Sequence, residues 1–250
     1  MAPPSATAIE PFGWYGKIPA GGDFMHRRLP RDLIGWWDRW LQHGLNGLRH
    51  SPPEEGLRAF QSAPMWNFAI PSGLGAGRVQ FGCISPSRDR VGRAYPVCAI
   101  LQVANEDYEP GMLHRAARFY RAIGEGLLTA VRHGCSPEQL DQTLLQARGD
   151  MMHMLSAPRA PAMPLAGGGG GSDIMDILNS GMPVAAAAPV AQPVGLGWED
   201  LADCFNPGSH TSYWWTNQAD GAGLYTYLHG GALNVTLFSK LFASTAGLRR

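Results

Sequence analysis

Tyr95-Pro96-Val97-Cys98-Ala99-Ile100-Leu101-Gln102-Val103 is a nearly continuous apolar run. A strand with one solvated face alternates apolar and polar residues, whereas a strand covered on both faces does not. The run therefore reads as a central strand buried on two sides. Upstream, Met65-Trp66-Asn67-Phe68-Ala69-Ile70 alternates and stops at Pro71-Ser72-Gly73. Arg78-Val79-Gln80-Phe81-Gly82-Cys83-Ile84 alternates again. Gly73, Gly75 and Gly77 between them suit a hairpin loop. Near the C-terminus, Ser212-Tyr213-Trp214-Trp215-Thr216 and Gly223-Leu224-Tyr225-Thr226-Tyr227-Leu228 flank Asp220-Gly221, a second hairpin pattern. His229-Gly230-Gly231 then leads into Leu233-Asn234-Val235-Thr236-Leu237-Phe238, read as a third strand. Three such strands are too few and too apolar to stand alone. They are expected to join the sheet of residues 65–103.

Helical periodicity surrounds these strands. Leu33, Trp36, Trp37, Trp40, Leu41, Leu45 and Leu48 recur every three to four residues after Leu29-Pro30-Arg31-Asp32, with Asp32 placed to cap. Ser51-Pro52-Pro53-Glu54 has the form of a capping box opening a helix to about Gln61. Pro110 opens a helix through Leu113, Ala117, Tyr120, Leu127, Leu128 and Val131. Ser136-Pro137-Glu138-Gln139 signals the next helix, carrying Leu140, Leu144, Leu145, Met151 and Met152. Residues 156–195 are dominated by Ala, Pro and Gly and read as a linker, with Gly167–Gly171 a flexible run. Within it, Asp173–Leu178 has the pattern of one or two turns of amphipathic helix. The expected fold is α+β: a mostly antiparallel central sheet flanked by helices on both faces. It forms a single domain with an Ala/Pro/Gly-rich insert. Its parts are a tail (1–8), a core (9–155), the linker (156–195) and C-terminal strands completing the same domain (196–245).

With 250 residues the chain suffices for one large or two small domains, and 45% hydrophobic content supplies a core. Twenty basic residues balance twenty acidic ones, so no global field recruits nucleic acid or an anionic membrane. Only Lys17 and Lys240 are lysine, a bias best read as genome composition alongside the abundant Ala, Gly and Pro. Cys83, Cys98, Cys135 and Cys204 are widely spaced, with neither C-x-x-C nor Cys/His clustering. Cys83 and Cys98 sit in apolar runs and read as buried small hydrophobes. The eight histidines form no H-x-H or H-E-x-x-H pair, so no metal is assigned. Neither a signal peptide nor an 18-residue apolar stretch is present, so the expectation is a cytoplasmic protein with reduced thiols and no direct membrane insertion.

Two segments carry most of the charge and glycine. In Gly13-Trp14-Tyr15-Gly16-Lys17-Ile18-Pro19-Ala20-Gly21-Gly22-Asp23-Phe24 the spacing is too short for a phosphate loop, and Ile18 stands where the metal-binding hydroxyl belongs. The segment reads as a strand ending in a glycine turn, with Asp23 bonding nearby backbone amides ahead of any ligand role. In Ser85-Pro86-Ser87-Arg88-Asp89-Arg90-Val91-Gly92-Arg93, the plain reading is a long connection pinned by Asp89–Arg pairs, with turns at Pro86 and Gly92. The functional reading is a partner- or anion-binding site formed by Ser85, Ser87, Asp89, Arg90 and Arg93, with Lys17 and Asp23 as further candidates. Neither G-x-S-x-G nor S-x-x-K is present to activate a serine, so no catalytic residue is assigned. Trp36 and Trp37 are offset by about 100° on a helix, and Trp214 and Trp215 face opposite sides of a strand. Trp37 and Trp215 are the candidates for exposed, partner-facing aromatics.

These two segments, with Trp66 to Phe68, Tyr95-Pro96 and Tyr213-Trp214-Trp215-Thr216, resemble the TagF (ImpM) family of type VI secretion regulators. Arg27-Arg28-Leu29-Pro30 extends the first signature. Two departures are visible: the long insert after residue 156, and Ala94-Tyr95 where a second aromatic or bulkier pair is expected. The resemblance implies a cytoplasmic, non-enzymatic protein without cofactor that represses type VI secretion posttranslationally. Its implied partner is the forkhead-associated scaffold protein of the threonine-phosphorylation pathway. The alternative is a phosphate- or nucleotide-binding sensor, or a hydrolase, using the 85–93 loop.

Overall fold

A computed structural model of the chain describes residues 12–48, 53–75, 77–156, 198 and 200–243. The expected tail at 1–8, the Ser51-Pro52 cap, residues 157–195 with their 173–178 island, and the last residues lie outside this range.

The strands are β1 (Gly13–Gly16), β2 (Met25–Arg27), β3 (Trp66–Ile70), β4 (Val79–Ser85), β5 (Val97–Val103), β6 (Thr211–Thr216) and β7 (Thr226–Gly230). They form one sheet in the order β2-β1-β5-β4-β3-β6-β7, every pairing antiparallel. The expected α+β fold is what the chain adopts. β5 is buried throughout, as the unbroken apolar run required, and β4 is buried throughout as well although its sequence alternates. β6 pairs with β3, Asn67 opposite Trp215 and Phe68 opposite Trp214, so the C-terminal segment completes the sheet of the core. β2 is a three-residue strand that periodicity is too short to reveal.

The alternation of side chains across the sheet sends them into two cores. On one face, Trp14, Phe81, Cys83, Ala99, Leu101 and Trp215 pack under α3 (Gly111–His114), α4 (Ala117–His133), α5 (Pro137–Gln146), α6 (Arg148–Leu155) and α7 (Leu201–Cys204). On the other, Tyr15, Phe68, Ile84, Cys98, Ile100 and Trp214 pack under α1 (Arg31–Leu48), α2 (Pro53–Ser62) and α8 (Val235–Phe242). The adjacent Trp214 and Trp215 thus enter different cores, as strand geometry demands.

Helix ends follow their caps. Ser136 accepts from the Gln139 amide while the Gln139 side chain returns to the Ser136 amide, a complete capping box. Asp32 lies in the first turn of α1 and not at its cap. The helix expected from Pro110 is interrupted at Arg115, whose N–H bonds the carbonyls of both Gly111 and Met112, leaving α3 and α4. The third C-terminal strand is absent. Residues 233–238 instead enter α8, where Asn234 accepts from the Leu237 amide at 3.0 Å as N-cap. Leu237, Phe238, Leu241 and Phe242 are buried, a helical spacing whose second half lies beyond residue 238. Phe238 packs so closely on α1 that a Cβ at Gly44 would lie 2.1 Å from its ring.

Candidate functional site

The β4–β5 connection, residues 86–96, is held against the turn between β1 and β2 because of one glycine. Gly16 has φ +138°, and a Cβ there would come 2.2 Å from the Pro96 carbonyl oxygen. Without a side chain, β1 runs directly beside the start of β5, Gly16 opposite Val97. Lys17, the next residue, is thereby delivered to Asp89, Nζ to Oδ2 at 3.0 Å.

Asp89 is the centre of this junction. Its Oδ1 accepts from the amides of Val91 (3.1 Å) and Arg93 (2.9 Å). Its Oδ2 accepts from Lys17 Nζ and from Arg93 Nε at 2.6 Å. The side chain is fully buried. Burial opposes its ionisation, but the Lys17 ammonium and the Arg93 amide and guanidinium outweigh that penalty. They hold the carboxyl well below the usual aspartate range. With four donors on two oxygens, both lone-pair positions of each oxygen are engaged. The loop closes on itself through Asp89 N–H to Arg93 carbonyl and Tyr95 N–H to Ser87 carbonyl, turning at Gly92 with φ +88°. It is stapled to the neighbouring turn by the Arg90 amide on the Gly21 carbonyl (2.8 Å) and by Arg93 Nη2 on the Gly22 carbonyl (2.9 Å).

An aromatic cluster backs the loop. Phe24 lies edge-on to Tyr95, ring centroids 4.7 Å apart, and Lys17 Nζ sits 4.5 Å over the Phe24 ring. The hydroxyls of Tyr15 and Tyr95 are 2.9 Å apart and both donate to Asp38 Oδ1, at 2.7 and 2.6 Å. Gln42 Nε2 donates to the other oxygen at 2.7 Å. Burial, and bonding to the Asp38 carboxylate, push both phenols above their ordinary value, so both hydroxyls stay protonated as donors.

The structure thus joins Lys17, Asp89 and Arg93 and leaves Arg88 and Arg90 exposed beside Val91, which is 70% exposed at the loop tip. Asp23 is exposed and caps its own turn, Oδ1 accepting from the Phe24 amide at 2.8 Å. Ser85 and Ser87 are buried. Ser85 Oγ donates to the Pro86 carbonyl, and Ser87 Oγ has no hydrogen-bond partner among the described residues. Neither serine contacts a base among the described residues. No group of three or more metal-ligating side chains occurs among the described residues.

Two candidates are corrected. Trp37 is fully buried, its Nε1 donating to Gln80 Oε1 at 2.8 Å, and Trp36 is the partly exposed member of the pair. The reason is helical phase: the α1 face of Leu33, Trp37, Trp40, Leu41, Gly44 and Leu48 meets the sheet. Trp215 is also fully buried, under α4, 4.7 Å from Tyr120. It lies on a strand covered on both faces. Sequence reasoning missed Phe24, Tyr95, Tyr15 and Asp38 as one unit. Tyr15, Phe24 and Tyr95 stand inside or beside the charged segments, a signal that was available. Asp38 gives none, since a lone acid between Trp37 and Trp40 looks like an ordinary helix-surface residue.

Beside the loop lies a groove of about 550 Å³ lined by Gln42, Leu45 and Asn46 of α1, Leu57 and Phe60 of α2, and Phe24, Lys17 and Arg93. No described helix is long and apolar enough to cross a membrane.

Residues 13–147 match the TagF N-terminal domain, described as type VI secretion system-associated. The match takes in both charged segments; Tyr213–Thr216 falls outside it. Among solved structures, the crystal structure of PA0076 from Pseudomonas aeruginosa PAO1 superposes with a TM-score of 0.59 and 22% identity. It covers 93% of this chain and 94% of its own, a likeness of fold. No curated protein matches the sequence. With more than half of its length matched, and both charged segments inside that half, the chain belongs to the TagF family, type VI secretion system-associated.

Proposed function

We propose that this chain is a non-enzymatic, cytoplasmic repressor of type VI secretion that acts posttranslationally by binding the forkhead-associated scaffold protein through the 85–93 loop. Repression then needs only occupancy of a scaffold surface required for assembly, so free scaffold is withdrawn by mass action. One observation carries the reading: the saturation of Asp89. A carboxylate bonded to two cations and two amides serves to fix a loop, and the fixed loop presents Arg88, Arg90 and Val91 to solvent. A preorganised surface of this kind loses little entropy on binding. The same bonding leaves Lys17 and Arg93 already neutralised in part by Asp89, which favours a protein surface over a small phosphate ligand. The test is capture of the purified scaffold by the full chain and by Arg90→Glu. Capture by the wild type and its loss in a variant with unchanged thermal melt is the expected result. Equal capture by a folded Arg90→Glu removes the loop from the interface, and no capture by the wild type removes the scaffold as partner.

A further inference from the structure

The groove beside the loop has features the loop alone does not explain. Its walls belong to α1 and α2, and Phe24 and Arg93 bound its end. Leu57 is 41% exposed and Phe24 45% exposed, and both line it, with Leu45, Leu48 and Phe60 beneath. Scattered exposed apolar residues are ordinary on a protein surface, but here they converge on one concave site. Its charge is one-sided. Arg93, its side chain 60% exposed, supplies the solvent-facing charge, Lys17 lies buried in the wall on Asp89, and no carboxylate lines it among the described residues. The acid that offsets them, Asp89, is wholly buried. Across segments 17–24 and 85–96, Lys17, Arg88, Arg90 and Arg93 outnumber Asp23 and Asp89. Arg88 and Arg90 are exposed and form no ion pair among the described residues. An apolar trough with a cationic rim complements an apolar stripe flanked by acids.

We infer that this groove docks an acidic amphipathic helix of a protein partner. Apolar residues three and four apart seat between Leu45, Leu57 and Phe24, and the acidic flank faces Arg93 at the end of the groove. The inference rests on the reading of this face as the partner surface and adds to it the chemistry of the bound element. Because the attraction is partly between solvent-accessible charges, binding weakens as salt rises.

The test is selection on the full chain from a displayed library of random 12-residue peptides, followed by titration of the synthesised winners. Recovered peptides are expected to carry net negative charge with apolar residues at helical spacing. They are expected to lose about tenfold or more in affinity for Leu57→Asp and for Asn46→Glu, each placing an acid in the groove wall. Both positions are exposed, so thermal melts should match wild type; Asn46→Glu serves alone if Leu57→Asp does not fold. Winners without charge bias, no winners, or undiminished binding to a folded variant overturn the proposal. Winners that converge on Ser172–Asn179 of this chain, or a wild-type dimer that Leu57→Asp converts to monomer, give the groove to the chain itself or to a second copy and also overturn it. Scaffold capture that is lost in Arg90→Glu yet survives Leu57→Asp keeps the loop reading and removes the groove. Acidic winners in a chain that captures no scaffold do the reverse.

Discussion

Two aspartates anchor the N-terminal hairpin, and they do so in different surroundings. Asp89 binds Lys17 and Arg93 in a fully buried position, with its side chain at 0% exposure. Asp141, on α5, takes a two-pronged contact from Arg28, Nη1 at 2.7 Å and Nη2 at 2.6 Å, plus Trp14 Nε1 at 3.0 Å. Its side chain is 18% exposed and that of Arg28 is 29% exposed. Arg28 has φ 57°, a backbone region costing about 1 kcal/mol or more for a non-glycine residue. Its fork on Asp141, with Nε on the Phe12 carbonyl, offsets that strain. The chemistry is the same, an arginine on a carboxylate, but water reaches the Asp141 carboxylate and not that of Asp89, whose second cation, Lys17, is buried with it. Coulomb attraction and the penalty for an orphaned charge both grow as solvent is excluded. The buried junction should therefore be the stiffer and the costlier to break.

Three measurements would break or sharpen this contrast. The largest effect is expected from Asp89→Ala, which leaves the buried Lys17 ammonium without its carboxylate. A loss of about 3–5 kcal/mol in denaturant unfolding is expected, and a loss no greater than for Asp141→Ala would show that burial does not control the difference. The next effect is on acid stability. The folded-state value of Asp89 lies below the ordinary 3.8, so its contribution is complete above about pH 4 and is lost as pH falls through the lowered value. The stability gap between wild type and Asp89→Asn should thus narrow progressively below that point. A gap constant from pH 6 to pH 2 would contradict a depressed Asp89. Asp141, also lowered by Arg28, is present in both proteins and cancels. The smallest effect is expected from Asp141→Ala, about 1–2 kcal/mol, because the freed Arg28 fork can still be hydrated.

Parts of this architecture were legible in the chain. The unbroken run 95–103 demanded a strand covered on both sides, and the Ser136 box fixed a helix start to the residue. Adjacent Trp214 and Trp215 had to enter different cores once they lay on a strand. Local rules failed where neighbours decided. Val235 and Thr236 favour strand by side-chain shape, yet Asn234 caps a helix there because Phe238 and Phe242 find a ready surface against Phe60. Trp36 and Trp37 carry the same residue type one position apart, and only the placement of α1 on the sheet says which is covered. In the site, Asp89 with a nearby arginine was readable from spacing, whereas Lys17 on Asp89, Tyr15 beside Tyr95 and both tyrosine contacts to Asp38 join residues far apart in sequence.

What the sequence determined by itself was therefore the local and periodic part: the class of fold, the central strand, the capped helices, the pinned character of the 85–93 loop, and the family its motifs resemble. Each depends on interactions within a few residues or on a repeating pattern that any burial would reveal. The tertiary structure alone decided the strand order, the burial of Trp37 and Trp215, the meeting of Lys17 with Asp89, and the groove walled by α1 and α2. Those are contacts between segments whose separation along the chain carries no record of their distance in space. A fully solvated Lys17 and a buried one are the same letter, and only the glycine-permitted approach of β1 to Pro96 makes the difference.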